Sequence, residues 1–85
     1  MSRKGTADAA NISRMIDVDM SAGWNMPGVP VNVKNNNGES VTLRVHPIDN
    51  EPQEFVTTLF TPGWNPEIVD YIEADSNVQN IQVGM

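Results

Sequence analysis

The chain has 85 residues, no cysteine, 39% hydrophobic residues and a formal charge of −6 at neutral pH. This length allows one domain with a marginal core, and the absence of cysteine excludes disulfides and thiol chemistry. Five basic residues are too few for a duplex-binding protein, and no stretch approaches the roughly 20 apolar residues of a membrane helix. We therefore expect no nucleic acid or membrane partner, and self-association remains the way to bury more apolar area.

The N-terminal residues differ from the rest of the chain in charge. Residues 1–14 carry three basic residues against one acid, whereas residues 15–85 carry two against ten. No apolar region of the kind found in signal peptides follows this basic start. We interpret residues 1–20 as an arm that docks on a partner, with electrostatic attraction and apolar burial acting together. The basic side chains of the arm are Arg3, Lys4 and Arg14.

The apolar residues of the arm allow two secondary structures. Four of them have the spacing of one helical stripe: Ile12, Met15, Ile16 and Met20. Val18, between Ile16 and Met20, equally suits a strand. The segment is either a frayed terminus or one that becomes ordered on a neighbouring subunit, because exposed large aliphatic residues would be a liability.

Residues 21–30 are rich in glycine and proline, which is typical of a linker. The triplet Gly-Trp-Asn around Trp24 recurs around Trp64, but the flanks differ, so we infer similar turn chemistry and no internal repeat. Each tryptophan either closes an edge of the core from a loop or contacts a partner. We divide the chain into an arm and linker at 1–27 and a β domain at 28–85.

Residues 29–45 have the pattern of a β-hairpin. Apolar residues alternate with polar ones in both arms, at Val29, Val31, Val33, Val41, Leu43 and Val45. Between the arms, residues 35–38 read Asn-Asn-Asn-Gly, and Asn-Gly is a strong hairpin turn. The sequence therefore predicts two paired antiparallel strands joined by this turn.

A third strand is predicted over residues 54–61 after a polar connecting loop, because the segment is rich in β-branched and aromatic residues. Phe55 and Leu59 lie on one face of this strand, and Val56 and Phe60 lie on the other. A small body cannot bury both faces, so we expect a second protomer to cover one. This predicts a homo-oligomer, with a trimer favoured over a dimer.

The next segment is ambiguous. Asn65, Pro66 and Glu67 suit the start of a helix, whereas the following Ile-Val-Asp-Tyr-Ile is typical of a strand. We favour a second hairpin, formed with a last strand in which Ile81 and Val83 face inward.

No catalytic set is recognisable. The only histidine, His46, is interpreted as a lone surface residue, since no Ser–His–Asp or Cys–His set can be built with it. Paired carboxylates need a concave site to hydrolyse glycosides or bind a cation, so the acidic stretches are interpreted as solvated charge. We expect no enzyme activity, no metal and no organic cofactor. The acidic residues concerned are Asp17, Asp19, Glu67, Asp70, Glu73 and Asp75.

The order of these parts resembles the small β proteins of tailed-phage particles, which include capsid decoration proteins and the bases of head fibres and spikes. The likeness covers residues 27–84. It consists of the Pro27-Gly28 entry, the strand pair Val-Asn-Val-Lys-Asn-Asn-Asn-Gly-Glu-Ser-Val-Thr-Leu, an aromatic strand, the segment Pro66-Glu-Ile-Val-Asp-Tyr-Ile and a closing Ile-Gln-Val. The resemblance implies a small assembly that a terminal arm fastens to the shell.

We therefore predict a mainly β protein, a small antiparallel β-sandwich or barrel with an extended or partly helical N-terminal arm. Its expected function is that of a structural virion protein, assembled in the host cytoplasm, that binds the major capsid protein or another virion protein. The alternative is a glycan- or peptide-binding module that uses Trp24, Trp64 and Tyr71. The predicted partner-binding residues are Arg3, Lys4, Ile12, Arg14, Met15, Ile16, Met20, Trp24 and Trp64.

Overall fold

A computed structural model describes residues 12–85. These residues form seven antiparallel β-strands and no helix, which confirms the mainly β prediction. It follows that the described part of the chain has no helix long and apolar enough to cross a membrane. The strands are β1 (Met15–Asp17), β2 (Trp24–Asn25), β3 (Val31–Asn35), β4 (Val41–Pro47), β5 (Val56–Phe60), β6 (Gly63–Ile72) and β7 (Ile81–Gly84).

The strands belong to one sheet in the order β1-β7-β3-β6-β4-β5, with β2 also paired to β6. The ten-residue strand β6 organises the fold because it pairs with β2, β3 and β4. Strands β1 and β5 end the order, so each has one paired neighbour among the described residues. Among the described residues, the two ends of this strand order are therefore open edges.

The predicted hairpin over residues 29–45 is wrong in its pairing, although both strands form. Strand β6 lies between β3 and β4, which do not pair with each other. The Asn-rich segment is therefore a crossing loop. Asn35, the last residue of β3, is buried at the start of this loop. Its side-chain amide donates to the carbonyls of Glu39 and Phe60, both at 3.0 Å, while its Oδ1 accepts from the backbone N–H of Asn37.

The second predicted hairpin is also wrong in its pairing. Residues 63–72 and 81–84 are strands, so the helix suggested by Asn65, Pro66 and Glu67 does not form. However, β7 pairs with β1 and β3, and β6 does not neighbour it. The alternation of apolar and polar residues predicts these strands correctly. It does not indicate which strands pair with each other.

Pro66 sits in the central strand β6 because the ladder is irregular beside it. The register between β3 and β6 shifts between Asn32 and Lys34. At this shift the buried amide of Asn32 donates to the carbonyls of Asn65 and Glu67, at 3.2 and 3.1 Å. Pro66 has no backbone N–H to donate to the hydrogen bonds between strands. At this position the side-chain amide of Asn32 supplies the donors instead.

The side chain of Asn65, which resembled a helix cap in sequence, fixes the turn between β5 and β6. Its Oδ1 accepts from the backbone N–H of Thr61 at 3.0 Å, and its amide donates to the carbonyls of Thr61 and Gly63. Asn65 is 4% exposed. Buried asparagines thus satisfy backbone groups that the irregular strands leave unpaired.

One apolar core lies on one face of the sheet. Phe60 is its largest side chain and is fully buried within a single chain, so it needs no second protomer. Val56 and Leu59 of the same strand remain 37% and 57% exposed. The core residues are Val18, Met20, Val31, Val33, Leu43, Val45, Phe60, Val69, Ile72, Ile81 and Val83.

The segment that we placed in the arm and linker contributes to this core. Val18 and Met20 are 9% and 4% exposed, and β1 and β2 are strands of the same sheet as the β domain. The helical stripe does not form. The strand interpretation holds for Ile16, which lies in β1, whereas Val18 and Met20 follow this strand and reach the core from outside it.

Candidate functional site

The predicted partner-binding residues separate into two groups. Ile16 and Trp24 pack against the core, and Met20 is part of it, so these three are structural. Ile12, Arg14, Met15 and Trp64 remain accessible to different extents. Arg3 and Lys4 lie outside the described residues.

Ile12, Met15 and Trp64 come together on the outer face of the sheet around Gly84. A methyl group at Gly84 would lie 2.6 Å from the side chains of both Ile12 and Trp64, so the glycine is what lets them cover β7. Met15 pairs directly with Gly84 and is 47% exposed. The Nζ atom of Lys34 is 5.7 Å from the Trp64 ring centroid, within cation–π range. We call Ile12, Met15, Lys34 and Trp64 the Trp64 patch.

The two tryptophans do not form one surface. Trp24 pairs with Ile72 at the end of β6, and Trp64 lies eight residues earlier in that strand, about 26 Å away at the usual rise per residue. Trp24 closes the core from the side, and its Nε1 atom is buried without a partner among residues 12–85. The two tryptophans therefore lie near opposite ends of β6.

A different cleft is present on the other half of the sheet, with a volume of about 510 Å³. One wall comes from β2 and the loop after it, and the other comes from the loop between β4 and β5. Strands β4 and β6 form the floor. The lining residues are Asn25, Pro27, His46, Ile48, Asn50, Pro52, Gln53, Phe55, Asp70 and Tyr71.

A chain of hydrogen bonds ties the two walls together through the floor. The backbone N–H of Gly28 donates to Oδ2 of Asp70 at 2.9 Å, and Oδ1 of Asp70 lies 2.8 Å from Nδ1 of His46. The other ring nitrogen of His46 lies 3.0 Å from the carbonyl oxygen of Glu51. We call these four residues the His46 bridge. These hydrogen bonds connect the loop between β2 and β3 to the loop between β4 and β5. The His46 bridge therefore sets the distance between the two walls of the cleft.

The position of His46 corrects the expectation of a surface histidine. The side chains of His46 and Asp70 are 13% and 11% exposed. Both ring nitrogens face acceptors, an arrangement that only the imidazolium satisfies with two N–H donors. The hydrogen bond to Asp70, and next the one to the Glu51 carbonyl, raise the pKa of His46 above its ordinary value.

Asp70 likewise is not the solvated charge that its sequence position indicated. Burial raises the pKa of Asp70, but the N–H of Gly28 and the paired His46 outweigh burial, so the pKa lies below its ordinary value. The imidazolium of His46 and the carboxylate of Asp70 therefore form an ion pair whose opposite charges cancel. With both nitrogens of His46 engaged, the imidazole has no free lone pair to act as a general base.

Two half-buried aromatic rings, those of Phe55 and Tyr71, line the cleft. Phe55 and Tyr71 have centroids 5.0 Å apart at an interplanar angle of 51°, and Phe55 meets His46 edge-on at 5.8 Å. The guanidinium of Arg44 lies 5.8 Å from the Phe55 ring centroid. The lining contains no serine, threonine or cysteine, so the only hydroxyl group among the lining side chains is the phenol of Tyr71.

No family model, curated protein or solved structure matches this chain. Within residues 12–85, no group of three His, Asp or Glu side chains is placed to hold a metal ion. The function must therefore be inferred from the geometry of the chain itself.

Most of the cleft is not predictable from the sequence. The sequence predicts Tyr71 as a ligand contact but not Asn25, Gln53 or Phe55, and it indicates surface charge at Asp70. The pairing of β4 with β6, which sets His46 opposite Tyr71, has no local signature. One feature of the sequence does point to the cleft. The only histidine, His46, lies near the start of a loop that is bounded by prolines and ends before Phe55.

Proposed function

We propose that this protein is a structural virion component of a tailed phage, a capsid decoration protein or head-fibre base, that functions through non-covalent assembly. The observation that carries the proposal is the open sheet, in which β1 and β5 each have one paired neighbour among the described residues. An open edge offers backbone N–H and C=O groups to another strand.

The edge strand β5 supports self-association. Its sequence, Val-Thr-Thr-Leu-Phe, contains none of the charged residues or prolines with which proteins usually protect an edge. Leu59 on its outer face is 57% exposed. The rest of the chain is strongly acidic, so two copies meet with the least repulsion at this uncharged strand. The occupant of the β5 edge in this proposal is a second copy of the chain.

The opposite edge supports attachment to the shell. Strand β1 carries Arg14 immediately before it, and Met15 of the Trp64 patch lies within it. Because Val18 and Met20 belong to the core, the docking segment is shorter than residues 1–20. The proposed contact consists of residues 1–14, which carry a net positive charge, together with the Trp64 patch.

The test is to locate the protein in purified particles of the phage that encodes it, by mass spectrometry and immunogold labelling. We expect it in stoichiometric amounts on the head or at the fibre base. We expect a protein lacking residues 1–11 to form the strands of residues 12–85 and to lose attachment to particles that lack the native copy. Absence from purified particles would contradict the proposal, and full attachment of the truncated protein would exclude residues 1–11 as the anchor.

A further inference from the structure

We propose that the cleft between the β2–β3 and β4–β5 loops binds an uncharged carbohydrate, with Phe55 and Tyr71 contacting the sugar ring and Asn25 and Gln53 hydrogen-bonding its hydroxyl groups. This ligand site goes beyond the role in particle assembly and does not depend on it. None of its lining residues belongs to β5 or to the Trp64 patch.

The aromatic residues supply the apolar contact. Phe55 and Tyr71 are half-buried, so each keeps part of its ring accessible from the cleft. The face of an aromatic ring carries partial negative charge, which attracts the weakly positive C–H groups on one side of a sugar ring. The planes of the Phe55 and Tyr71 rings are inclined to each other at 51°, so the two rings form a concave apolar surface and not a flat one.

The polar residues match hydroxyl groups. Asn25 and Gln53 are exposed at opposite walls of the cleft, and each amide offers both donors and an acceptor. Asn50, by contrast, already donates to the carbonyl of Glu54 at 3.3 Å. A sugar hydroxyl both donates and accepts, so one amide from each wall can orient a ring that lies on the aromatic floor.

The charges of the cleft favour an uncharged ligand. The only formal charges among its lining residues are His46 and Asp70, which neutralise each other at 2.8 Å. The guanidinium of Arg44, beside Phe55, is paired with the carboxylate of Glu73 at 3.6 Å. Both N–H groups of His46 are already donated, so the lining offers no free cation for a phosphate, sulfate or carboxylate. Asp70 accepts from both Gly28 and His46 and is likewise not free to bind an ammonium group.

The cleft is also built before any ligand arrives. The His46 bridge fixes both walls, and a preformed site loses less entropy on binding. Gln53 adopts φ 70°, a left-handed conformation that a glutamine rarely takes. Such strain is tolerated where the surrounding structure holds the residue in place, often at ligand sites, and here it sets the Gln53 backbone at the rim. The volume of about 510 Å³ lies within the range of ligand clefts.

The test is a screen of the intact protein against an array of neutral and charged glycans. It is followed by NMR titration of the ¹⁵N-labelled protein with neutral disaccharides of glucose, galactose and N-acetylglucosamine. We expect binding to neutral glycans, with the largest shifts at Gln53, Phe55 and Tyr71. Gln53→Gly removes the amide and relieves the backbone, so it should preserve the melting temperature while weakening binding by about five-fold. Gln79→Ala, at an exposed loop glutamine outside the cleft, is the matched control and should bind normally.

Three results would overturn the proposal. The first is the absence of neutral glycan binding at millimolar concentration, and the second is binding restricted to charged glycans. The third is neutral glycan binding with shifts confined to the Trp64 patch. Because the assay uses the protein without particles, its outcome is separate from the test of the virion role.

Discussion

The Nδ1 atom of His46 lies 2.8 Å from Oδ1 of Asp70, and this pair joins two loops that are 18 residues or more apart in sequence. Gly28 reaches the pair from one side, and the carbonyl of Glu51 reaches it from the other. The bridge is therefore a structural ion pair in which histidine holds a loop in position.

The His46 bridge predicts a specific pH dependence of stability. The pKa of His46 is raised in the folded state, so its contribution is fully present below its ordinary pKa of 6.5 and is lost as pH rises through the higher folded value. The pKa of Asp70 is lowered, so its contribution is present above 3.8 and is lost as pH falls through the folded value. Stability should be greatest between these limits.

Thermal melts by circular dichroism across pH 4 to 9 check this prediction. We expect the melting temperature of the wild type to fall by a few degrees on the alkaline side. His46→Gln cannot carry the charge, so its melting temperature should be lower at pH 6 and nearly constant above it. His46 is the only histidine and there is no cysteine, and the α-amino group is common to both proteins. Parallel curves for the two proteins would show that His46 does not carry the effect.

Two neighbouring asparagines provide a matched test of the crossing loop. Asn35 is 1% exposed and its side chain makes hydrogen bonds with Asn37, Glu39 and Phe60. Asn35→Ala leaves these backbone groups unsatisfied and should lower the free energy of unfolding by about 2 kcal/mol. Asn36 is exposed, so Asn36→Ala should cost less than about 0.5 kcal/mol. Chemical denaturation measures both, and equal costs would contradict the role of Asn35.

Two glycines with the same φ of 80° separate backbone strain from steric conflict. A Cβ at Gly28 would meet no atom within 4 Å, so Gly28→Ala should cost only the left-handed penalty of about 1 kcal/mol. A Cβ at Gly23 would collide with the carbonyl oxygen of Ile72 and lie 2.8 Å from the backbone nitrogen of Ala74. Gly23→Ala should therefore cost at least about 3 kcal/mol. Denaturant titration of both variants decides this, and a Gly23→Ala protein as stable as Gly28→Ala would contradict the packing of β2 against β6.

Part of the fold was predictable because side-chain alternation has a direct physical cause. Val31, Val33, Leu43 and Val45 alternate with polar residues, and all four are in the core. Alternation reports the face of a residue but not its partner strand, so it could not show that β6 enters between β3 and β4. The Asn-rich segment added to the error, since asparagines that satisfy buried carbonyls look the same in sequence as asparagines in a tight turn.

The candidate sites were less predictable than the strands. The Trp64 patch was partly anticipated, since Ile12, Met15 and Trp64 were named as contacts, but their meeting depends on the absence of a side chain at Gly84. The cleft collects residues from three separate segments through the pairings of β6 with β2 and β4. Those pairings are long-range, so no window of sequence contains the site.

Light scattering coupled to size-exclusion chromatography tests the assembly account most directly. The wild-type protein at micromolar concentration should have the mass of a small oligomer of the 9.3 kDa chain. Pairing of two β5 edges gives a dimer, whereas the trimer favoured by the sequence requires β5 to contact a different surface of the next copy. Leu59→Lys places a charge on the open edge strand and should yield a folded monomer, because a buried charge at the β5 contact would be unpaired. Ser76→Lys, an exposed loop position between β6 and β7, adds the same charge and should leave the oligomer intact. A wild-type protein that is monomeric under these conditions, or a Leu59→Lys protein with unchanged mass, would contradict assembly through β5.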